Sequence, residues 1–240
     1  MEILFVMSFS IAKLIDDGSA LYAYHMLSGI LMVSIVILRI VWGLLGSKTS
    51  RFTSFKLSPS ELIAYMKSVV STKSKRYLGH NPASSYAAVL MMTFTFGIGF
   101  SGLMMSLRIG KHFFEEVHEL LANGFLLIVL LHIAGVLLHQ IKHNDGMIYS
   151  MLNGKKAKIS VDGEIKSNHP FAAIVFVILY VGIGSYILKS YDGNTGKLNA
   201  FGTQLQLGEN ENAEHKAKRE SFINEEHDDD DEEDDEEDDD

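Results

Sequence analysis

HELLANGFLLIVLLHIAGVLLH, residues 118–139, begins and ends on histidine, and its single carboxylate, Glu119, sits beside the first residue. From residue 120 to 138 the stretch carries no Asp, Glu, Lys or Arg. A helix rises about 1.5 Å per residue and needs about 20 apolar residues to cross the hydrocarbon of a bilayer. The segment is therefore read as a membrane span. His118 and His132 are 14 residues apart. At about 100° per residue, that spacing falls within about 40° of whole turns, so the two share a face and stand about 21 Å apart. Ionisable side chains at such depth are costly and are candidates for function by default.

Three further stretches, residues 26–45, 86–107 and 170–188, are long and apolar enough to span, each with at most one charged residue in its interior. They are apolar all round, which favours membrane spans over the plainer reading, a soluble all-α domain with buried helices. In the second, Thr93, Thr95 and Ser101 can bond their own helix carbonyls, and Gly97, Gly99 and Gly102 allow close helix approach. A shorter apolar run at residues 3–12 reaches about 15 Å and reads as the second half of a helix. A signal peptide fits it less well, since no Lys or Arg precedes it and no small-x-small site follows. Ser58-Pro59-Ser60-Glu61 has the form of a capping box with proline at the first helical position. Leu62, Ile63, Met66 and Val70 then make one stripe of a short helix lying on the inner surface. The fold class expected is an all-α membrane protein: a four-helix transmembrane bundle, first helix incomplete, plus a fifth transmembrane helix.

Charge divides the chain differently. The 240 residues hold 21 basic and 30 acidic side chains, net −9, but 15 of the 16 residues at 225–240 are Asp or Glu. Residues 1–224 keep all 21 basic groups and the other 15 acidic ones, net +6. So dense a run of like charge cannot bury enough apolar surface to fold, and the chain from about Asn194 onward is expected to be disordered. The expected units are a bundle over 1–156, a connector and fifth helix over 157–193, and an acidic tail over 194–240. Cysteine is absent, which excludes disulfides, thiolate chemistry, iron–sulfur clusters and covalent haem attachment. Nothing in the pattern points to nucleic acid. Lys48, Arg51, Lys56, Lys67, Lys73, Lys75 and Arg76 face only Glu61 between residues 46 and 85, which places that loop in the cytoplasm. The N-terminus is then inside and the tail outside, in the periplasm of a bacterium with two membranes.

His25 opens the span at residues 26–45, and His118 opens the one quoted first, on the same outer side. The two can meet across a bundle as paired axial imidazoles on a haem iron, a mode suited to electron transfer. Gly29 and Gly135 remove volume where a flat macrocycle would lie. Arg39 is 14 residues after His25, on its face but at inner-interface depth, where a guanidinium can meet haem propionates. The plainer reading of each histidine alone is a helix–helix hydrogen bond. His139 and His143 extend the His132 face towards headgroup depth, and His112, His169, His215 and His227 read as surface residues.

His25-x3-Gly29, Arg39-Ile40-Val41-Trp42-Gly43, Gly46-Ser47 with Arg51-Phe52, Gly79-His80-Asn81-Pro82, His118-Glu119 and His132-Ile133-Ala134-Gly135-Val136 follow one another along the chain. In this order they resemble the bacterial cytochrome b-561 / nickel-iron hydrogenase-type cytochrome b family over about residues 1–156. The resemblance implies a di-haem membrane cytochrome b of the inner membrane, an electron-transfer subunit more than a stand-alone enzyme. It implies electron transfer between the quinone pool and a periplasmic hydrogenase or c-type cytochrome. It also implies His25 and His118 as ligands of an outer haem b, and His132 as a ligand of an inner one. The inner haem's other ligand, a histidine of the first helix, has no counterpart here. One complete bis-histidine site is therefore expected, and a second only if a ligand upstream of Met1 or a substitute exists. His80 and Arg51 are the polar candidates for proton handling if quinol is oxidised here. The main rival is a haem-deficient scaffold or assembly factor with the same fold; a divalent-cation sensor using tail carboxylates lacks any defined metal loop. The tail has two readings, a solubilising extension and an electrostatic dock for a basic partner.

Overall fold

The computed structural model describes residues 1–47, 50–70, 80–143 and 170–207. The acidic residues 225–240, the basic residues Lys48, Lys73, Lys75 and Arg76, those of the 144–169 connection, and Gly79 lie outside the described residues.

Each long apolar stretch is helical, and each helix starts at or before the span read from hydropathy. The helices are α1 (Glu2–Leu14), α2 (Ala23–Leu45), α3 (Pro59–Val70), α4 (Pro82–Ser106), α5 (Lys111–His143) and α6 (Pro170–Ser190). Four of these elements are long and apolar enough to cross a membrane. The start of α4 shows why a boundary falls where it does. Asn81 Oδ1 accepts from Ser84 N at 2.8 Å, Asn81 N donates to Ser84 Oγ at 3.1 Å, and Pro82 takes the first helical position. This capping box takes in Asn81 and Pro82 of the Gly79-His80-Asn81-Pro82 motif. At α3 proline again marks the start, but the Ser58 hydroxyl pairs with Ser60 Oγ at 2.9 Å. The far end of α3 is held by Lys142 of α5, whose ammonium donates to the Ser68 and Val69 carbonyls at 3.1 and 2.7 Å.

α1 packs on α2, α2 on α4, and α4 on α5. Phe5, Met32, Met91, Ile98, Phe125 and Val129, from all four, form one buried cluster, with the Phe5 and Phe125 rings edge to face at 4.5 Å. Close approach depends on glycine. A Cβ on Gly97 would lie 2.8 Å from Leu121, one on Gly124 would lie 2.6 Å from Phe94, and one on Gly99 would overlap Val33. The close approach expected at the glycines of α4 is thus made to two partners, α5 at Gly97 and α2 at Gly99. Thr93, Thr95 and Ser101 bond back to Val89, Met91 and Ile98 carbonyls at 3.0, 2.8 and 3.0 Å. Met1 packs against the buried cluster, so α1 runs from the bundle interior to one end.

α6 lies outside the four, against α2. Trp42 and Phe176 meet edge to face at 5.4 Å, and Leu31 lies 3.6 Å from where a Gly184 Cβ would be. Phe171, Ile174, Val177 and Ile178 are exposed on it, as a lipid-facing helix requires.

The expectation of disorder is corrected by the structure over residues 194–207; residues 208–240 lie outside the described residues. Strands β1 (Tyr191–Asp192), β2 (Lys197–Ala200) and β3 (Thr203–Gln206) form an antiparallel meander in the order β1-β2-β3. Leu198 pairs with both Tyr191 and Leu205. Leu198, Ala200 and Leu207 are buried with Ala23 and Leu27 of α2 and Ile187 of α6. Ser106 Oγ at the end of α4 donates to the Gln206 carbonyl at 3.0 Å. The all-α bundle therefore carries a small sheet over the end where α2 begins.

Candidate functional site

At that same end two imidazoles meet. His25 enters from the first turn of α2 and His118 from the second turn of α5, with ring centroids 6.0 Å apart and ring planes at 70°. The pairing expected from helix arithmetic is thus present. Each ring is held through Nδ1. That of His25 lies 2.9 Å from both the hydroxyl and the carbonyl oxygen of Ser8 on α1, and that of His118 lies 2.9 Å from Ser101 Oγ on α4. Nε2 is the nitrogen outside these bonds in both rings. Tyr22 lies over His25 at 5.3 Å between centroids. Ser8 was not among the residues singled out from the sequence, and Ser101 was read only as bonding back to its own helix; the signal of their contact with the rings is a serine 17 residues before each histidine.

The arrangement can be tested against a metal-centred cofactor. Imidazole nitrogens bind transition metals at about 2.0–2.1 Å, and the ring centre lies about 1.1 Å behind the nitrogen, so two imidazoles on opposite sides of one ion have centroids about 6.2–6.4 Å apart. The observed 6.0 Å is within a few tenths of that. One turn along α2, a Cβ on Gly29 would meet nothing within 4 Å, which leaves room beside the pair; at Gly102 a Cβ would lie 3.5 Å from His118 Cε1. The residues fit a bis-imidazole haem. Among the described residues there is no group of three or more His, Cys, Asp or Glu side chains that could hold a bare metal ion.

The other sequence-predicted residues lie elsewhere. His132 is half-buried on α5, three residues beyond Val129 of the buried cluster, and makes no hydrogen bond or ring contact among the described residues. A Cβ on Gly135 would also meet nothing within 4 Å. Arg39 is at the opposite end of α2 from His25. Its guanidinium lies over the Phe52 ring at 5.4 Å and donates to the Ser50 carbonyl at 3.3 Å. Gly43 makes this possible, because a Cβ there would overlap Phe52. Arg51 donates to the Gly46 carbonyl at 2.7 Å, and His80 packs edge to face on Phe55 at 4.7 Å. Burial first, and the Arg39 charge second, hold the His80 imidazole below the usual histidine range. Arg39 and His80 therefore share one environment, which sequence distance concealed.

Apolar helices long enough to span a bilayer, with two imidazoles presented from different helices near one end, define a helical membrane protein shaped to hold a metal-centred cofactor. The family model for prokaryotic cytochrome b561 matches residues 1–154. The chain belongs to the prokaryotic cytochrome b561 family and is a membrane haem b electron-transfer protein. No curated protein and no solved structure matches it.

Proposed function

We propose that His25 and His118 are the axial ligands of one haem b, and that the chain passes electrons between the quinone pool and a periplasmic redox partner, a hydrogenase or a c-type cytochrome. The observation that carries this reading is the 6.0 Å approach of the two rings, with Nδ1 of each engaged and Nε2 left over. Haem so held supplies one-electron oxidation and reduction at an iron without an open coordination position. The protein's part is to hold two imidazoles from separate helices and to keep them in an apolar, packed setting. The basic loop at residues 46–85 sets the orientation, in the inner membrane of a bacterium, with the Arg39 end cytoplasmic and the His25 end and its sheet periplasmic.

His132 is read as a ligand of an inner haem, with Arg39 at suitable depth for its carboxylates. No second histidine contacts His132 among the described residues, and this favours a second reading in which only the outer site is loaded or the fold serves as a scaffold. Haem count separates the readings. The chain purified from membranes is expected to show a reduced-minus-oxidised b-type spectrum and at least one haem b per chain by pyridine haemochrome. His25→Ala and His118→Ala should each remove that haem. A folded wild-type chain without haem, made with haem in ample supply, would leave the scaffold.

A further inference from the structure

The hydrogens around the two histidines can be counted. Nδ1 of His25 is 2.9 Å from the Ser8 carbonyl oxygen, which can only accept, so that nitrogen carries a hydrogen. The Ser8 hydroxyl has one hydrogen and donates it to the His25 carbonyl at 3.1 Å; its lone pair therefore faces Nδ1–H. At His118 the Ser101 hydroxyl donates to the Ile98 carbonyl at 3.0 Å, and a lone pair is again what it offers Nδ1 at 2.9 Å. The Ile98 carbonyl is also within hydrogen-bonding reach of that ring. Both serines are buried, Ser8 at 6% exposure and Ser101 at 0%, so water does not compete for these bonds.

We propose that Ser8 and Ser101 are positioning residues that fix the tautomer and rotation of the two axial imidazoles and thereby set the reduction potential of the haem they hold. The proposal rests on the haem reading above. An acceptor on Nδ1–H makes Nε2 a stronger donor to the iron, which favours the oxidised form. The two serines differ in weight. His25 keeps the Ser8 carbonyl at 2.9 Å whatever side chain stands at that residue, whereas the oxygen at 2.9 Å from His118 Nδ1 belongs to a side chain, with the Ile98 carbonyl as the further acceptor.

The test compares wild type, Ser8→Ala and Ser101→Ala in lipid nanodiscs. Haem content comes first: a wild type that binds none sinks the haem reading and this inference with it, while a loaded wild type lets the inference stand or fall alone. In loaded protein, Ser101→Ala is expected to shift the reduction equilibrium three- to tenfold towards the reduced form, about 28–59 mV upward at 59 mV per decade. The g values of the oxidised haem should change with the ring's rotation, and Ser8→Ala should give a smaller shift. Wild-type potentials and g values in both loaded variants would overturn the proposal. Should Ser101→Ala load no haem, Ser101→Thr and Ser101→Val isolate the hydroxyl in side chains of equal size. A wild-type-like potential with Thr, and a raised one or haem loss with Val, supports the proposal; the same result for both overturns it.

Discussion

His80 stands just before the capping box of α4, beside the Phe55 ring and within the field of Arg39. Removal from water disfavours its charged form, and a guanidinium nearby disfavours it further. The native imidazole thus binds its proton less readily than in the unfolded chain. By linkage, its contribution to stability is full above the ordinary value near 6.5 and is lost as pH falls from there towards the lower native pKa. Histidine-selective NMR should find His80 titrating below 6.5 in the wild type. Arg39→Gln should move the midpoint up but only part of the way, because burial is the larger cause; an unmoved midpoint would mean that the charge is not felt. This pair also shows what a sequence conceals at this scale. His25 and His118 were legible because rigid helices convert sequence number into depth. The contacts of Ser8 and Ser101 with those rings were not, since contacts between helices depend on rotation about each axis, which spacing along one chain does not specify. Arg39 lies at the far end of α2 from His25, as residue number implies, but its engagement with Phe52 and Ser50 depends on the path of the loop beyond α2.

Among the elements, the spanning helices were the most legible, because about 20 apolar residues in a row have few other destinations. The meander was missed for a physical reason. Its strands have two to four residues, too short for a strong pattern, and an isolated hairpin of that size is marginal in water. What holds it is docking. Leu198 and Ala200 alternate with Lys197 and Asn199, so one face of β2 meets α2 and α6 while the other meets solvent. The turn from β2 to β3 runs through Phe201 and Gly202, both with positive φ, as a two-residue hairpin loop requires. Tyr186 of α6 accepts the Phe201 N–H at 3.1 Å and ties the turn to the membrane helix. Leu198→Ala removes the central side chain and should cost about 2–5 kcal/mol of local stability. Hydrogen exchange at residues 203–207 should accelerate, with no loss of haem from the His25–His118 site; unchanged exchange would show that the sheet is held by something other than its buried face.

Across the whole molecule, the candidate groups separate along the helix axes. The paired histidines and the sheet occupy one end, and Arg39 with His80 occupies the other. The acidic run at residues 225–240 follows a chain that is net positive up to 224, and it is attached at the histidine end through Leu207. Leu207 closes the fold on that side: it is buried, and its N–H donates to the Gly196 carbonyl at 2.8 Å. A chain ending at Leu207 keeps, among the described residues, every contact that shapes the His25–His118 pair. It should bind the same amount of haem at the same potential as the full chain, measured by pyridine haemochrome and redox titration. Whether the tail also recruits a basic partner is a separate question that ionic strength resolves, since the screening length grows from about 8 Å at 0.15 M to about 30 Å at 0.01 M. Electron transfer to a cationic c-type cytochrome should run at the same rate with and without residues 208–240, even at 0.01 M salt, if the tail only solvates the protein. A rate that falls on truncation at 0.01 M and recovers its parity at 0.15 M would make the tail an electrostatic dock. The first result is the expected one, because 15 carboxylates in 16 residues raise the local concentration of cations without a charge pattern that would orient them towards His25, and electron transfer needs the orientation.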